Sequence, residues 1–199
     1  MFPTQLYRLS AWAAMLSGLA IMIKKLVVDL FIPLNPATNA VGTFGLLLGL
    51  FTLTGVYLYQ REASGRLGLI GYLINWFGLA TVAGVDYARN YILPYLSKSE
   101  VQALLAGPTK LVFIVCAIFF LVGVWLFSAA SLRARVFPRL AILLYLIGFT
   151  IWSLSFFLPN VVVIIAEVGG ALGILWLGYA MWTGLKKTMP IPSGQALRA

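Results

Sequence analysis

The chain has 199 residues, 62% of them hydrophobic and 10% charged, a mean hydropathy of +0.99, a formal net charge of +9 and no histidine. Soluble domains carry about a quarter charged residues, so this composition excludes an ordinary soluble core and points to an integral membrane protein. Without histidine a His-ligated haem or chlorin is excluded, the usual neutral-pH general base is missing, and no cofactor is expected.

Arg8 precedes the first apolar run, which has no small-residue cleavage pattern and reads as a retained span rather than a cleavable leader. A bilayer-crossing helix needs about 20 residues, and the first such stretch covers residues 9–32, stopped by Pro33-Leu34-Asn35-Pro36. The second covers 41–59. After the polar turn Gln60–Arg66, the third covers 67–92 and ends near Pro94. Ser99 with Gln102 three residues on predicts a capped interfacial helix over 99–106. Spans four, five and six follow at 109–130, 140–158 and 161–185, divided by the arginine-bearing loop 131–139 and by Pro159-Asn160. The lone Cys116, inside span four, has no partner for an internal disulfide.

The fold class expected is therefore all-α: an integral membrane bundle of six transmembrane helices over residues 1–188, with a flexible cytoplasmic tail over 189–199. Gly55–Tyr59 and Gly123–Phe127, each followed by an arginine-bearing turn, resemble one another, as do the closings Ile32-Pro33, Leu93-Pro94 and Leu158-Pro159. Three repeated hairpins are one way to read this. Chance likeness among apolar helices is the other.

Arg8, Arg61, Arg66, Arg133, Arg135, Arg139, Lys186, Lys187 and Arg198 fall on one side, against the single acid Glu62. Lys24, Lys25, Arg89, Lys98 and Lys110 fall on the other, among more acids. Positive residues near span ends stay in the cytoplasm, so both termini are expected there, in a bacterial inner (plasma) membrane. Basic residues scattered in this way are an orientation signal and not a nucleic-acid surface.

Charges inside apolar sequence mark the candidate site. Lys25 and Asp29 are four apart, as are Asp86 and Asn90, while Asp86 and Arg89 are three apart; each spacing shares a helical face. Glu167 stands alone between Val161–Ala166 and the uncharged run Val168–Leu177. The expected topology brings Lys24, Lys25, Asp29, Asp86, Arg89, Asn90 and Glu167 to one membrane level as a ligand-binding pocket. Charges at such depth face a cavity or the bundle interior. The competing reading makes them helix-end ion pairs and snorkelling lysines.

Gly42, Gly45, Gly49, Gly71, Gly78, Gly169 and Gly173 form small-residue faces for helix packing, joined by the mid-span amide of Asn75, which needs a partner. Trp76, Trp152 and Trp176 lie deeper than the interfacial aromatics and line either the core or a cavity. No catalytic constellation or metal set stands out.

These residues suggest a polytopic protein that binds or transports a small solute or lipid through a polar pocket near the non-cytoplasmic side. The alternatives are a structural or accessory subunit of a membrane complex and a lipid-modifying enzyme. The expected partners are membrane lipid and a small-molecule or lipid ligand, with a membrane protein or a second copy as the alternative.

Overall fold

The computed structural model describes residues 2–33 and 35–188, and every regular element is helical. The tail expected over 189–199 lies outside the described residues. Helix α1 runs Phe2–Ile23 and passes into a π-helical turn, Lys24–Val28, and a single α-helical turn, α2, Asp29–Phe31. Pro33 and an extended Ile32 stop it.

Helix α3 spans Pro36–Tyr91. It starts five residues before the expected position because Asn35 and Thr38 cap each other. The Thr38 N–H donates to Asn35 Oδ1 at 3.0 Å and the Asn35 N–H to Thr38 Oγ1 at 2.9 Å, with Pro36 in the first turn. Its helical hydrogen bonding continues through Gln60–Ser64, and only Gly65 leaves helical geometry, at φ 56°. Glycine tolerates that left-handed conformation without a Cβ clash. At Gly65 the element doubles back. Thr54 then meets the Tyr72 hydroxyl at 3.1 Å, and the Tyr57 and Tyr72 rings stack 4.6 Å apart.

After a 3₁₀ turn at Leu93–Tyr95 come α4 (Lys98–Ala106), α5 (Pro108–Ala134), α6 (Arg139–Ser153), a second 3₁₀ turn (Ser155–Phe157) and α7 (Asn160–Thr188). The α4 cap is Ser97 with Glu100, two residues earlier than the expected Ser99 with Gln102. A carboxylate accepts the cap N–H more strongly than an amide does, which is why the box forms there.

The expectation of six spanning helices is overturned. Among the described residues, three helical elements have the length and apolar character to cross a membrane: Pro36–Tyr95, Pro108–Ala134 and Asn160–Gly184. The stretches expected at 41–59 and 67–92 are the two limbs of the single element Pro36–Tyr95, which reverses at Gly65. Helix α6 has only 15 residues, about 22 Å at the α-helical rise, against a hydrocarbon core of about 30 Å. The apolar run of α1 carries Arg8 near its start and ends at Lys24 and Lys25. The three-hairpin repeat required six equivalent spans and falls with them.

The elements close into a ring. The first limb of α3 packs on α1, α1 on α7, α7 on α6, α6 on α5, and α5 on the second limb of α3. Their shared core includes Leu53, Val56, Phe120, Phe127, Ile142, Phe149 and Met181. Glycine makes the close approaches. A Cβ on Gly123 would stand 2.5 Å from Asn75 N, one on Gly78 2.6 Å from Phe120 N, and one on Gly71 2.7 Å from Phe127 N. Across the ring, Gly148 lies against Gly170, Gly173 against Tyr145, and Gly18 against Ala171.

Candidate functional site

The polar end of the ring is built around the π-helical turn. An i→i+5 turn adds a residue to the helical repeat, so Lys24 comes over Asp29, five positions on, as well as Lys25, four positions on. Lys24 ion-pairs with Asp29 Oδ1, and Lys25 Nζ lies 3.2 Å from Asp29 Oδ2. Lys25 also reaches across to α7, 2.7 Å from Glu167 Oε2. The Glu167 side chain is only 6% exposed. Its carboxyl lies against a lysine that Asp29 also holds, which suits the rule that ionisable groups at depth are paired.

From α3, the Thr43 hydroxyl donates to Asp86 Oδ2 at 2.9 Å, tying the two limbs together. No ion pair joins Asp86 to Arg89 among the described residues. The exposed Arg89 side chain has neither an ion pair nor a hydrogen bond there. All seven charged and amide residues singled out in the sequence border one open recess of about 370 Å³: Lys24, Lys25, Asp29, Asp86, Arg89, Asn90 and Glu167. Asn39, Asn160 and Trp152 add polar and aromatic wall, and Ile21, Leu46 and Phe149 form its apolar floor.

Three cations and three acids face this space, so its formal charge is zero. The lysines are occupied by Asp29 and Glu167. Asp86 and Arg89 stand outside that network, one anion and one cation not neutralised by each other.

Of the small residues singled out in the sequence, Gly42 borders this recess and the others stand elsewhere. Gly42 faces the Lys24 stem, Gly45 faces Ile21, Gly49 faces Leu79, and Gly169 and Gly84 have open space. The fully buried Asn75 donates from Nδ2 to the Tyr145 hydroxyl at 2.7 Å. The sequence requires a partner for that amide but carries no sign that it is Tyr145. Nor does it point to Thr43 or to the buried pair Gln60–Ser131, in which Gln60 Nε2 donates to Ser131 Oγ at 2.6 Å. Gln60 sits in a run that reads as a polar turn, yet it is 1% exposed. Among the described residues no group of three or more Cys, Asp or Glu side chains is placed to hold a metal ion.

Fold and site together define a helical, multi-pass membrane protein with several apolar helices and a recess of mixed charge at one end. Compared with protein-family models, with curated proteins and with solved structures, the chain matches none.

Proposed function

We propose that the protein binds a small polar solute or a lipid headgroup in the recess between the π-helical turn, α3 and α7, with transport through the bundle as the fuller form of the same role. The observation that carries this reading is the pair Asp86 and Arg89. Both border the recess, and neither belongs to the lysine–carboxylate network beside them. A ligand bearing both charge signs, or a phosphodiester with an attached amine, would satisfy both at once.

The recess lies 21 residues from Gly65 along the second limb of α3, about 30 Å at the α-helical rise, and so at the opposite end of the ring from the arginine-bearing turns. With both termini in the cytoplasm of a bacterial cell, as the positive residues suggest, it opens on the non-cytoplasmic face. An accessory subunit would offer its glycine faces to a partner. Gly45, Gly49 and Gly173 are already packed against the chain's own helices, which favours the binding role.

The test is native mass spectrometry of the protein gently extracted from its own membrane. A stoichiometric small molecule or lipid is expected on the wild-type chain and is lost in Asp86→Asn and in Arg89→Gln, both still folded. A bare wild-type chain, or a ligand retained by both variants, overturns the assignment.

A further inference from the structure

At the opposite end of the ring, Arg133, Arg135 and Arg139 border a second open recess, of about 650 Å³, whose other walls are Leu132 and Leu143. All three arginines are exposed, and their side chains have no ion pair or hydrogen bond among the described residues. Orientation of a membrane protein requires only that basic residues lie near span ends. It does not require them to converge on one space, and it does not require the backbone found here.

That backbone is held firmly. Arg135 ends α5 at φ 56°, the one non-glycine residue in left-handed geometry among those described, with its N–H on the Ser131 carbonyl at 3.2 Å. Helix ends of this kind favour glycine, because a Cβ crowds the following carbonyl. Ser131 is itself buried and accepts from Gln60. Two residues past Arg135, Phe137 is 4% exposed with its ring 5.6 Å from that of Tyr59. The corner therefore presents guanidinium groups from a fixed frame, with an arginine where a glycine would relax the chain.

Apolar surface adjoins the charge. Leu143 shares a helical face with Arg139, four residues before it, and Leu140 and Val136 are exposed beside them. Unpaired guanidiniums next to exposed leucines match the boundary between phosphate and acyl chain. Guanidinium groups hold phosphate oxygens in a fork geometry.

We infer that the α5–α6 corner is a binding site for an anionic phospholipid, with its headgroup phosphate on Arg133, Arg135 and Arg139 and its first methylenes along Leu132 and Leu143. This site is independent of the role given to the polar recess.

The experiment uses the full chain in detergent, titrated with phosphatidylglycerol and, separately, phosphatidylcholine, and read by native mass spectrometry alongside thermal unfolding. Phosphatidylglycerol should be retained in preference to phosphatidylcholine. A basic residue near a charged membrane surface contributes about a fivefold change in affinity, so Arg133→Gln and Arg139→Gln should each weaken retention by about that factor. Arg135→Gly is the decisive variant. It should lose phosphatidylglycerol to the same extent while unfolding at the wild-type temperature or above, since glycine suits the left-handed turn.

Equal retention of both lipids would overturn the site. So would an Arg135→Gly chain that unfolds earlier with retention unchanged. Full displacement of the lipid by inorganic phosphate would reassign the corner to a soluble anion, and preferential capture of an acidic peptide over phosphatidylglycerol would reassign it to a protein partner.

Discussion

The interface between α5 and the second limb of α3 and the polar end of the same limb are built on opposite principles. Along the interface, Gly71, Gly78 and Gly123 let backbone meet backbone, so that no added Cβ fits. At the polar end, Thr43, Asp86 and Arg89 stand on the same element as Gly71 and Gly78, yet the helices there enclose space instead of closing it. In lipid there is no hydrophobic drive to press helices together, so close packing must come from small residues. Where charged side chains replace them, ion pairs set the spacing and a recess remains. One element thus carries both a closed seam and an open mouth, and residue size decides which.

The largest effect expected from breaking the seam is at Gly123. Ala at this position places a Cβ 2.5 Å from Asn75 N, and backbone on a packed helix cannot yield as a side-chain tip can. Overpacking of this kind costs about 3 kcal/mol, so Gly123→Ala should unfold well before wild type in detergent. Gly84, on the same element near the mouth, has nothing within 4 Å of the added Cβ. Gly84→Ala should be neutral or gain up to about 1 kcal/mol from helix propensity. If both variants unfold alike, glycine spacing does not distinguish the two regions.

A smaller effect is expected at the mouth. Glu167→Gln removes the partner that Lys25 holds at 2.7 Å. Breaking a fully buried pair costs about 3–5 kcal/mol. Lys25 keeps Asp29 at 3.2 Å and is itself 25% exposed, so about 2 kcal/mol is the expected loss. Thermal unfolding of this variant against Glu62→Gln, whose side chain is 91% exposed, measures it. A Glu167→Gln chain as stable as the Glu62→Gln control would mean that the ion pairs do not hold the mouth together.

The difference between seam and mouth also explains which parts of the molecule were legible in the sequence. Small residues and isolated charges are conspicuous in apolar sequence, so Gly71, Gly78, Lys25, Asp29 and Glu167 could be picked out and some of them placed on shared faces. Contacts that depend on a local departure from the α-helix could not. The ion pair of Lys24 with Asp29 needs the π-helical turn, and five-residue spacing does not share a face in an ordinary helix. The count of spanning helices failed on length and end charge: α6 stops after 15 residues, and α1 ends at the lysine-bearing π-helical turn. Gln60–Arg66 reads as a turn by polarity, but the helix runs on to Ser64, and a single left-handed Gly65 makes the reversal. Asn75 with Tyr145 and Gln60 with Ser131 join residues 70 and 71 positions apart. Those pairs depend on which helices are neighbours in the ring, and periodicity within one helix carries no such information.

The smallest effect lies just beyond the mouth, on α4, where no seam or ion network helps the helix and its own cap must hold it. The Ser97 hydroxyl and backbone N–H both donate to Glu100 Oε2, at 2.6 Å and 2.7 Å, and the Glu100 N–H donates back to Ser97 Oγ at 3.3 Å. The bond from the Ser97 hydroxyl, followed by that from its N–H, holds the Glu100 carboxyl below the usual carboxylate value. A carboxyl lowered in the folded state contributes stability that is fully present above its unfolded value, about 4.3, and is lost as pH falls through the lower folded value. Protection of the amides in 98–106 against hydrogen exchange, corrected for intrinsic rate, should therefore be level near about pH 6 and decline below about pH 4. Ser97→Ala should remove both the protection and most of its pH dependence. Protection that stays constant into acid would show that α4 is held by the membrane surface through Leu104 and Leu105 and not by its cap, and the contrast between packed seam and self-supported edge would then stop at Tyr95.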